Sequence, residues 1–187
     1  AYDQFGVGVS ISGDYAIVGA WGDDDKGATS GSAYIFKRDG TVWVQQQKLT
    51  ASDGAASDYF GLPASISGDM AIVGAHGDDD KGSNSGSAYI FKRNGTGWVQ
   101  QQKLTASDGA AEDRFGCPAS ISGDYAIVGA FGDDDRGTDS GSAYIFKRDG
   151  ESWIQQAKLT ASDGAAYDHF GISVSISGEY AIVGADG

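Results

Sequence analysis

Three consecutive aspartates occur three times in the chain, as Asp23-Asp24-Asp25, Asp78-Asp79-Asp80 and Asp133-Asp134-Asp135. A hard divalent cation such as calcium takes clustered carboxylates as ligands. Adjacent residues point in different directions, so a triplet converges on one ion only across a sharp turn, which the flanking Gly22 and Gly27 permit. Asp23, Asp25, Asp78, Asp80, Asp133 and Asp135 are therefore the candidate metal ligands, with Asp53 and Asp58 in a connection able to add to them. The competing reading is a solvated loop whose aspartates cap their own turns. The spacing matches no established calcium loop, which favours the capped turn; no cofactor is expected, and calcium is the one alternative.

These loops belong to a repeat. Phe5-Gly6, Phe60-Gly61, Phe115-Gly116 and Phe170-Gly171 recur every 55 residues (60 − 5 = 115 − 60 = 170 − 115). The units are 5–59, 60–114, 115–169 and a partial 170–187, one array over 1–187. Twelve of the 13 basic residues fall at four fixed repeat positions, those of Lys26, Lys37, Arg38 and Lys48, and only Arg114 stands outside them. A framework this constant makes the variable positions informative. Trp21, His76, Phe131 and Asp186 are one equivalent set; Tyr59, Arg114 and His169 are another, with Ser57, Glu112 and Tyr167 beside them. Aromatic, histidine and arginine side chains are those a recognition surface uses. Trp21, Tyr59, His76, Arg114, Phe131 and His169 are accordingly the candidate ligand-binding residues, against drift at unconstrained exposed sites.

The elements that must position them are strands. Phe5, Val7, Val9 and Ile11 alternate with Gly6, Gly8, Ser10 and Ser12, the period of a strand over Phe5 to Ser12. The turn Ser12-Gly13-Asp14 leads into Tyr15 to Ala20, an apolar run suited to burial on both faces. A third strand runs from Ser32 to Phe36 and a Gln-rich outer strand from Trp43 to Leu49, joined at Asp39-Gly40, a tight-hairpin signal. Nothing has a helical period, and a repeated four-stranded antiparallel unit predicts an all-β propeller, with a β-solenoid or open stack as competitor.

Phe5-Gly6, Tyr15 to Ala20 and Gly31 to Phe36 together resemble the FG-GAP repeat of propellers like that of the integrin α-subunit, and the Asp-rich loop with Gln46 to Ala55 resembles its bacterial variant. The resemblance spans the chain and implies a β-propeller of about seven blades, of which 3 × 4 + 2 = 14 strands, about three and a half blades, are supplied here. It also implies an extracellular or cell-surface binding or adhesion module. Integrin repeats often carry a calcium loop between their first two strands. Here that link is only Ser12-Gly13-Asp14, Ser67-Gly68-Asp69, Ser122-Gly123-Asp124 and Ser177-Gly178-Glu179, too short to supply the ligands, so that site does not carry over. Without an initiator Met or a signal peptide, a fragment of a longer array or a head-to-tail assembly is expected.

Composition narrows the partners. With 26 acidic against 13 basic residues, a net charge of −13 repels a phosphate backbone and an anionic membrane surface. No apolar run approaches the roughly 20 residues of a membrane helix. A protein or glycan ligand, and self-association through the unfinished blade, are the expected partners. Catalysis is not expected: His76 and His169 sit in no recognisable motif and no serine stands in a nucleophile elbow, which leaves a hydrolase or lyase propeller as the enzyme alternative. Cys117 replaces Val7, Leu62 and Ile172 and reads as a small buried hydrophobe. Asn94-Gly95-Thr96 is a formal glycosylation sequon better explained as a hairpin turn, and Trp43, Trp98 and Trp153 read as packing between blades.

Overall fold

The computed structural model describes residues 2–95 and 97–187. Strands β1 (Phe5–Ser12), β2 (Tyr15–Ala20), β3 (Ser32–Asp39) and β4 (Val42–Leu49) form one antiparallel sheet in chain order. The sheet recurs as β5 (Ala64–Ser67), β6 (Met70–Ala75), β7 (Ser87–Asn94) and β8 (Gly97–Leu104). It recurs again as β9 (Ala119–Ser122), β10 (Tyr125–Ala130), β11 (Ser142–Asp149) and β12 (Ser152–Leu159), and β13 (Ser173–Ser177) pairs with β14 (Tyr180–Gly184) as the first half of a fourth. No helix among the described residues is long and apolar enough to cross a membrane.

The inner strand is shorter than its alternation predicts in the second and third sheets. Pro63 and Pro118 stand where the first unit has Gly8, and a proline cannot donate to the ladder, so pairing starts at Ala64 and Ala119. The outer hairpins carry a bulge at the same register in each sheet, between Ile35 and Phe36 and at their two equivalents. Asn94 ends β7 and Gly95 has a φ of 63°, as a tight hairpin requires; Thr96, the third residue of the sequon, lies outside the described residues.

Successive sheets bury their facing sides against one another. Ile17, Ala33, Ile35 and Leu49 of the first pack on Phe60, Ile66, Val73, Phe91 and Trp98 of the second. Met70, Ile72, Ile90 and Leu104 of the second meet Phe115, Ile121, Val128, Phe146 and Trp153 of the third. Ile127 and Ala143 meet Ile176, with Val174 and Val183 half-buried beside them. A fully buried side chain of this size stabilises by about 1.5–3 kcal/mol, so the joints between sheets hold the fold. Trp98 and Trp153 are buried in joints as their repeat position predicts. The equivalent face of the first sheet is open: Phe5, Val9 and Ile11 are 57–65% exposed and Trp43 40%.

Polar bonds lock the same joints. The Gln47 amide brackets the Trp98 backbone, its Nε2 donating to Trp98 O at 2.7 Å and its Oε1 accepting from Trp98 N at 2.8 Å. Gln102 and Trp153 repeat the pair at 2.9 and 2.7 Å, and Ala157 stands at the third equivalent position. Nearer the inner strands, Ser10 Oγ accepts from Ile66 N at 3.2 Å and Ser65 Oγ from Ile121 N at 3.3 Å.

The recurring Phe-Gly pair has a backbone reason. Gly116, at a φ of 102°, donates its N–H to Gly129 O of its own sheet at 3.0 Å while its carbonyl crosses Gly74 of the preceding one. A Cβ on Gly74 would collide with that carbonyl oxygen, and the obstacle is backbone. Gly74→Ala is therefore expected to cost about 3 kcal/mol or more, read as a lowered midpoint in urea denaturation.

Candidate functional site

The aspartate loops fold around lysines. Lys103 Nζ, from β8, lies 2.8 Å from Asp53 Oδ2, 2.8 Å from Asp78 Oδ2 and 2.6 Å from Asp80 Oδ2. Tyr89 OH, from β7, sits 3.0 Å from both Asp53 Oδ1 and Asp78 Oδ2. Asp53 belongs to the connection out of the first sheet, so the cluster spans a joint. Lys158 repeats it with Asp108, Asp133 and Asp135 at 2.8, 2.7 and 2.6 Å, and Tyr144 takes the place of Tyr89. Lys48 meets Asp23 at 2.8 Å and Asp25 at 2.5 Å.

The first and third aspartates of each triplet are thus brought together and the middle one is not. Asp24, Asp79 and Asp134 accept the backbone N–H of Thr29, Asn84 and Asp139 at 2.8 Å, closing the loop on itself. Asp53 joins the second triplet rather than the first, and Asp58 instead accepts Ala55 N at 2.7 Å. The lysine was missed from the sequence, although its fixed repeat position was the available signal. The carboxylate oxygens of Asp53, Asp78 and Asp80 lie within 4.8 Å of one another, but the ammonium already stands among them. A divalent ion would have to displace it or face it as a like charge, so these residues as folded do not fit calcium.

The electrostatics follow from that placement. Burial opposes the charge on Lys103, but hydrogen bonds to Asp53, Asp78 and Asp80 outweigh it and hold the proton more firmly than on a free lysine. Burial likewise pulls Asp53 and Asp108 upward, yet their lysine and tyrosine partners hold both below the usual carboxylate range. Asp113, which accepts Ala110 N at 2.7 Å, is pushed up to about 6 by burial and then by the charges of Asp133 and Asp108.

The variable residues meet on a different part of the surface. Trp21, His76 and Phe131 each follow the last residue of a second strand, and Tyr59, Arg114 and His169 each precede a Phe-Gly pair. The connector residues are pinned to the loop of the preceding sheet: Tyr59 N donates to Thr29 O, Arg114 N to Asn84 O and His169 N to Asp139 O, all at 3.0–3.1 Å. All three are held in the left-handed region, with φ of 57°, 57° and 48°. Glycine or asparagine adopts that conformation most readily, and no copy has either.

This puts each connector side chain between the strand-end side chains of two successive sheets. Tyr59 lies edge-on to Trp21 (5.7 Å between ring centroids) and stacks on His76 at 5.0 Å with 14° between planes. Arg114 sits over Phe131 at 5.3 Å, and Phe131 meets His169 edge-on at 6.2 Å. Trp21, Tyr59, His76, Arg114 and Phe131 line one cleft of about 540 Å³ together with Leu62, Asn84 and Cys117. His169 continues the row outside the cleft, its Nδ1 2.8 Å from Asp186 Oδ1. Leu62, Asn84 and Cys117 were not among the sequence candidates, though each occupies a position that varies between copies. Cys117 is half-buried rather than fully buried, and burial pushes its thiol up to about 11, so it stays protonated at neutral pH. Burial, then the charge of Arg114, lowers the His76 pKa, leaving that ring neutral at pH 7.

Consecutive four-stranded antiparallel blades, packed face to face and stapled through their connections, define a β-propeller repeat segment. The chain belongs to the FG-GAP repeat family, whose profile matches residues 1–36, 43–91, 98–146 and 153–187. No curated protein matches it. Among solved structures it is similar to the crystal structure of Saccharomyces cerevisiae Sqt1, with a TM-score of 0.54 at 12% identity over 89% of this chain. That likeness bears on the fold alone, and the chain spans 39% of that protein's length.

Replacing Lys103 by Met leaves Asp53, Asp78 and Asp80 facing one another without a cation. A loss of about 3 kcal/mol at pH 7 is expected, recovering in part below pH 4 as the carboxylates take up protons, whereas calcium leaves the wild-type melting midpoint unchanged. Asp113 behaves oppositely to its neighbours. Its folded pKa of about 6 exceeds the ordinary 3.8, so it favours folding at low pH and that contribution disappears as pH rises through 6. Asp113→Asn keeps an oxygen for Ala110 N, and calorimetry should show its midpoint a few degrees above wild type at pH 8 and equal to it at pH 4.

Proposed function

We propose that the chain is a binding or adhesion module of the extracellular or cell-surface kind, recognising a protein or glycan through the cleft at Trp21, Tyr59, His76, Arg114 and Phe131. The observation that carries this reading is convergence: five of the six variable residues singled out by their chemistry line one cleft. Drift at independent exposed sites would scatter side chains, and would not favour bulky side chains such as Tyr59, Arg114 and His169 at a left-handed backbone position, where strain costs on the order of 1–3 kcal/mol. The variation sits on a framework whose own polar groups are engaged in the joints, so the rim can change without loosening the fold. FG-GAP membership supports the cell-surface setting. A binding role is favoured over a hydrolase or lyase because the one histidine in the cleft, His76, is stacked on Tyr59 with no carboxylate among the described lining residues to orient it, while the His169–Asp186 pair lies outside the cleft.

One observation favours a second reading, a structural subunit that self-assembles head to tail. The open face of the first sheet presents Phe5, Ile11, Phe36 and Trp43, equivalents of Phe60, Ile66, Phe91 and Trp98, which seat a neighbouring blade in the second sheet. Variants separate the two. Trp21→Ala with Phe131→Ala is expected to lower capture on a glycan or cell-surface protein array at least tenfold with the native mass unchanged. Ile11→Asp should leave capture intact. If Ile11→Asp instead collapses a higher-order native mass and the cleft variants do nothing, the structural reading replaces the binding one.

A further inference from the structure

Arg114 differs from every other basic residue of the chain. The other twelve occupy repeat positions, and most are committed: Arg38, Arg93 and Arg148 to Asp14, Asp69 and Asp124, the cluster lysines to their carboxylates, and Lys26, Lys81 and Arg136 to the next connection. Arg114 breaks the pattern and lies in the cleft. Its guanidinium has one charged neighbour, Glu112 Oε2 at 3.7 Å, beyond hydrogen-bond distance. Glu112 itself is engaged elsewhere, accepting from Asn84 Nδ2 at 3.1 and 3.2 Å. The guanidinium therefore lines the cleft without a hydrogen-bonded carboxylate, over the Phe131 ring at 5.3 Å.

The rest of the lining sharpens the ligand. In a chain of net charge −13, the described residues lining this cleft include no carboxylate, and the nearest one, Glu112, stands behind Arg114 and Asn84. His76, its pKa lowered by burial, is neutral, so Arg114 is the one charged side chain among the lining residues. The walls are the rings of Trp21, Tyr59, His76 and Phe131, with Asn84 adding an amide at the rim. An aromatic face is an apolar surface of negative potential, suited to the polarised C–H side of a pyranose. The remaining polar groups want partners that a bare hydrocarbon or plain aromatic acid cannot supply, and leaving them unmet costs affinity. The overall negative field opposes a long polyanion far more than a single carboxylate, because the repulsion scales with the ligand's charge.

Resting on the binding reading above, the geometry points to a sugar ring bearing one carboxylate, a uronic acid at the end of a glycan, as the ligand of this cleft, with its carboxylate on Arg114 and its ring against the aromatic wall. A guanidinium and a carboxylate meet through two parallel hydrogen bonds, which fixes orientation as well as charge.

The test is an NMR titration of the whole chain with a matched pair, cellobiouronic acid and cellobiose. The acid is expected to bind at least tenfold more tightly, with shifts centred on Tyr59, His76 and Phe131. Arg114→Gln should bring the two sugars to parity without lowering the melting midpoint, while Lys37→Gln, at an exposed basic residue away from the cleft, should leave the preference intact. Equal affinity for both sugars in the wild type overturns the carboxylate assignment while leaving the cleft reading standing. Shifts at the same residues with phenylacetate but neither sugar overturn the sugar assignment alone. If none of the three probes moves those resonances, the uronic-acid assignment is overturned, while the cleft reading stands or falls on the capture experiment.

Discussion

An ammonium group held between carboxylates from two successive blades is the interaction on which the rest of this structure depends. Lys103 and Lys158 each gather one aspartate from the preceding connection and two from their own blade, and Tyr89 or Tyr144 bridges the same oxygens. Taking these charges partly out of water is unfavourable, and only close, multiple pairing makes the arrangement stable. The geometry meets that condition: the most buried carboxylate of each cluster, Asp78 or Asp133, is 5% or 4% exposed and faces both the ammonium and a phenol, while the partners carrying the excess charge remain hydrated. A lysine thus does at the first two joints what a bound cation would otherwise have to do.

Because that staple crosses from one blade to the next, it fixes how the connection leaves the joint. The connection carries the Phe-Gly pair onward, and the glycine crossing behind it permits the close approach that buries the phenylalanine. Stability is then distributed over joints rather than blades, as in other arrays where each unit contacts its neighbours. The first sheet illustrates this from the other side: Phe5 and Ile11 are exposed, whereas their equivalents Phe60 and Ile66, packed on a neighbouring sheet, are buried.

A framework secured at the joints frees the rim to vary. The residues that alternate along the rim, Trp21, Tyr59, His76, Arg114, Phe131 and His169, interlock through ring stacking and a cation–π contact rather than through the core. The backbones of Tyr59, Arg114 and His169 are held by bonds to main-chain carbonyls of the preceding loop, which any residue supplies, so a change of side chain alters chemistry without altering placement. One scaffold can in this way present a different surface at each joint.

The period of 55 residues, the strand alternation and the Phe-Gly and Asp-Gly punctuation determined the all-β repeat before any coordinate was known, because local pattern dictates which face of each strand is apolar. The same comparison of copies marked Trp21, Tyr59, His76, Arg114 and Phe131, since a changing residue on an unchanging framework is visible in the sequence alone. What sequence reasoning could not supply was adjacency. The aspartate triplets carried the right signal for a cation, but the cation proved to be a lysine 23 to 25 residues downstream, joined by an aspartate from the preceding unit. Leu62, Asn84 and Cys117 entered the cleft for the same reason. Only the packing of one blade on the next decides which residues, 50 or more positions apart, share a site, because that contact is made by the joint and by nothing local.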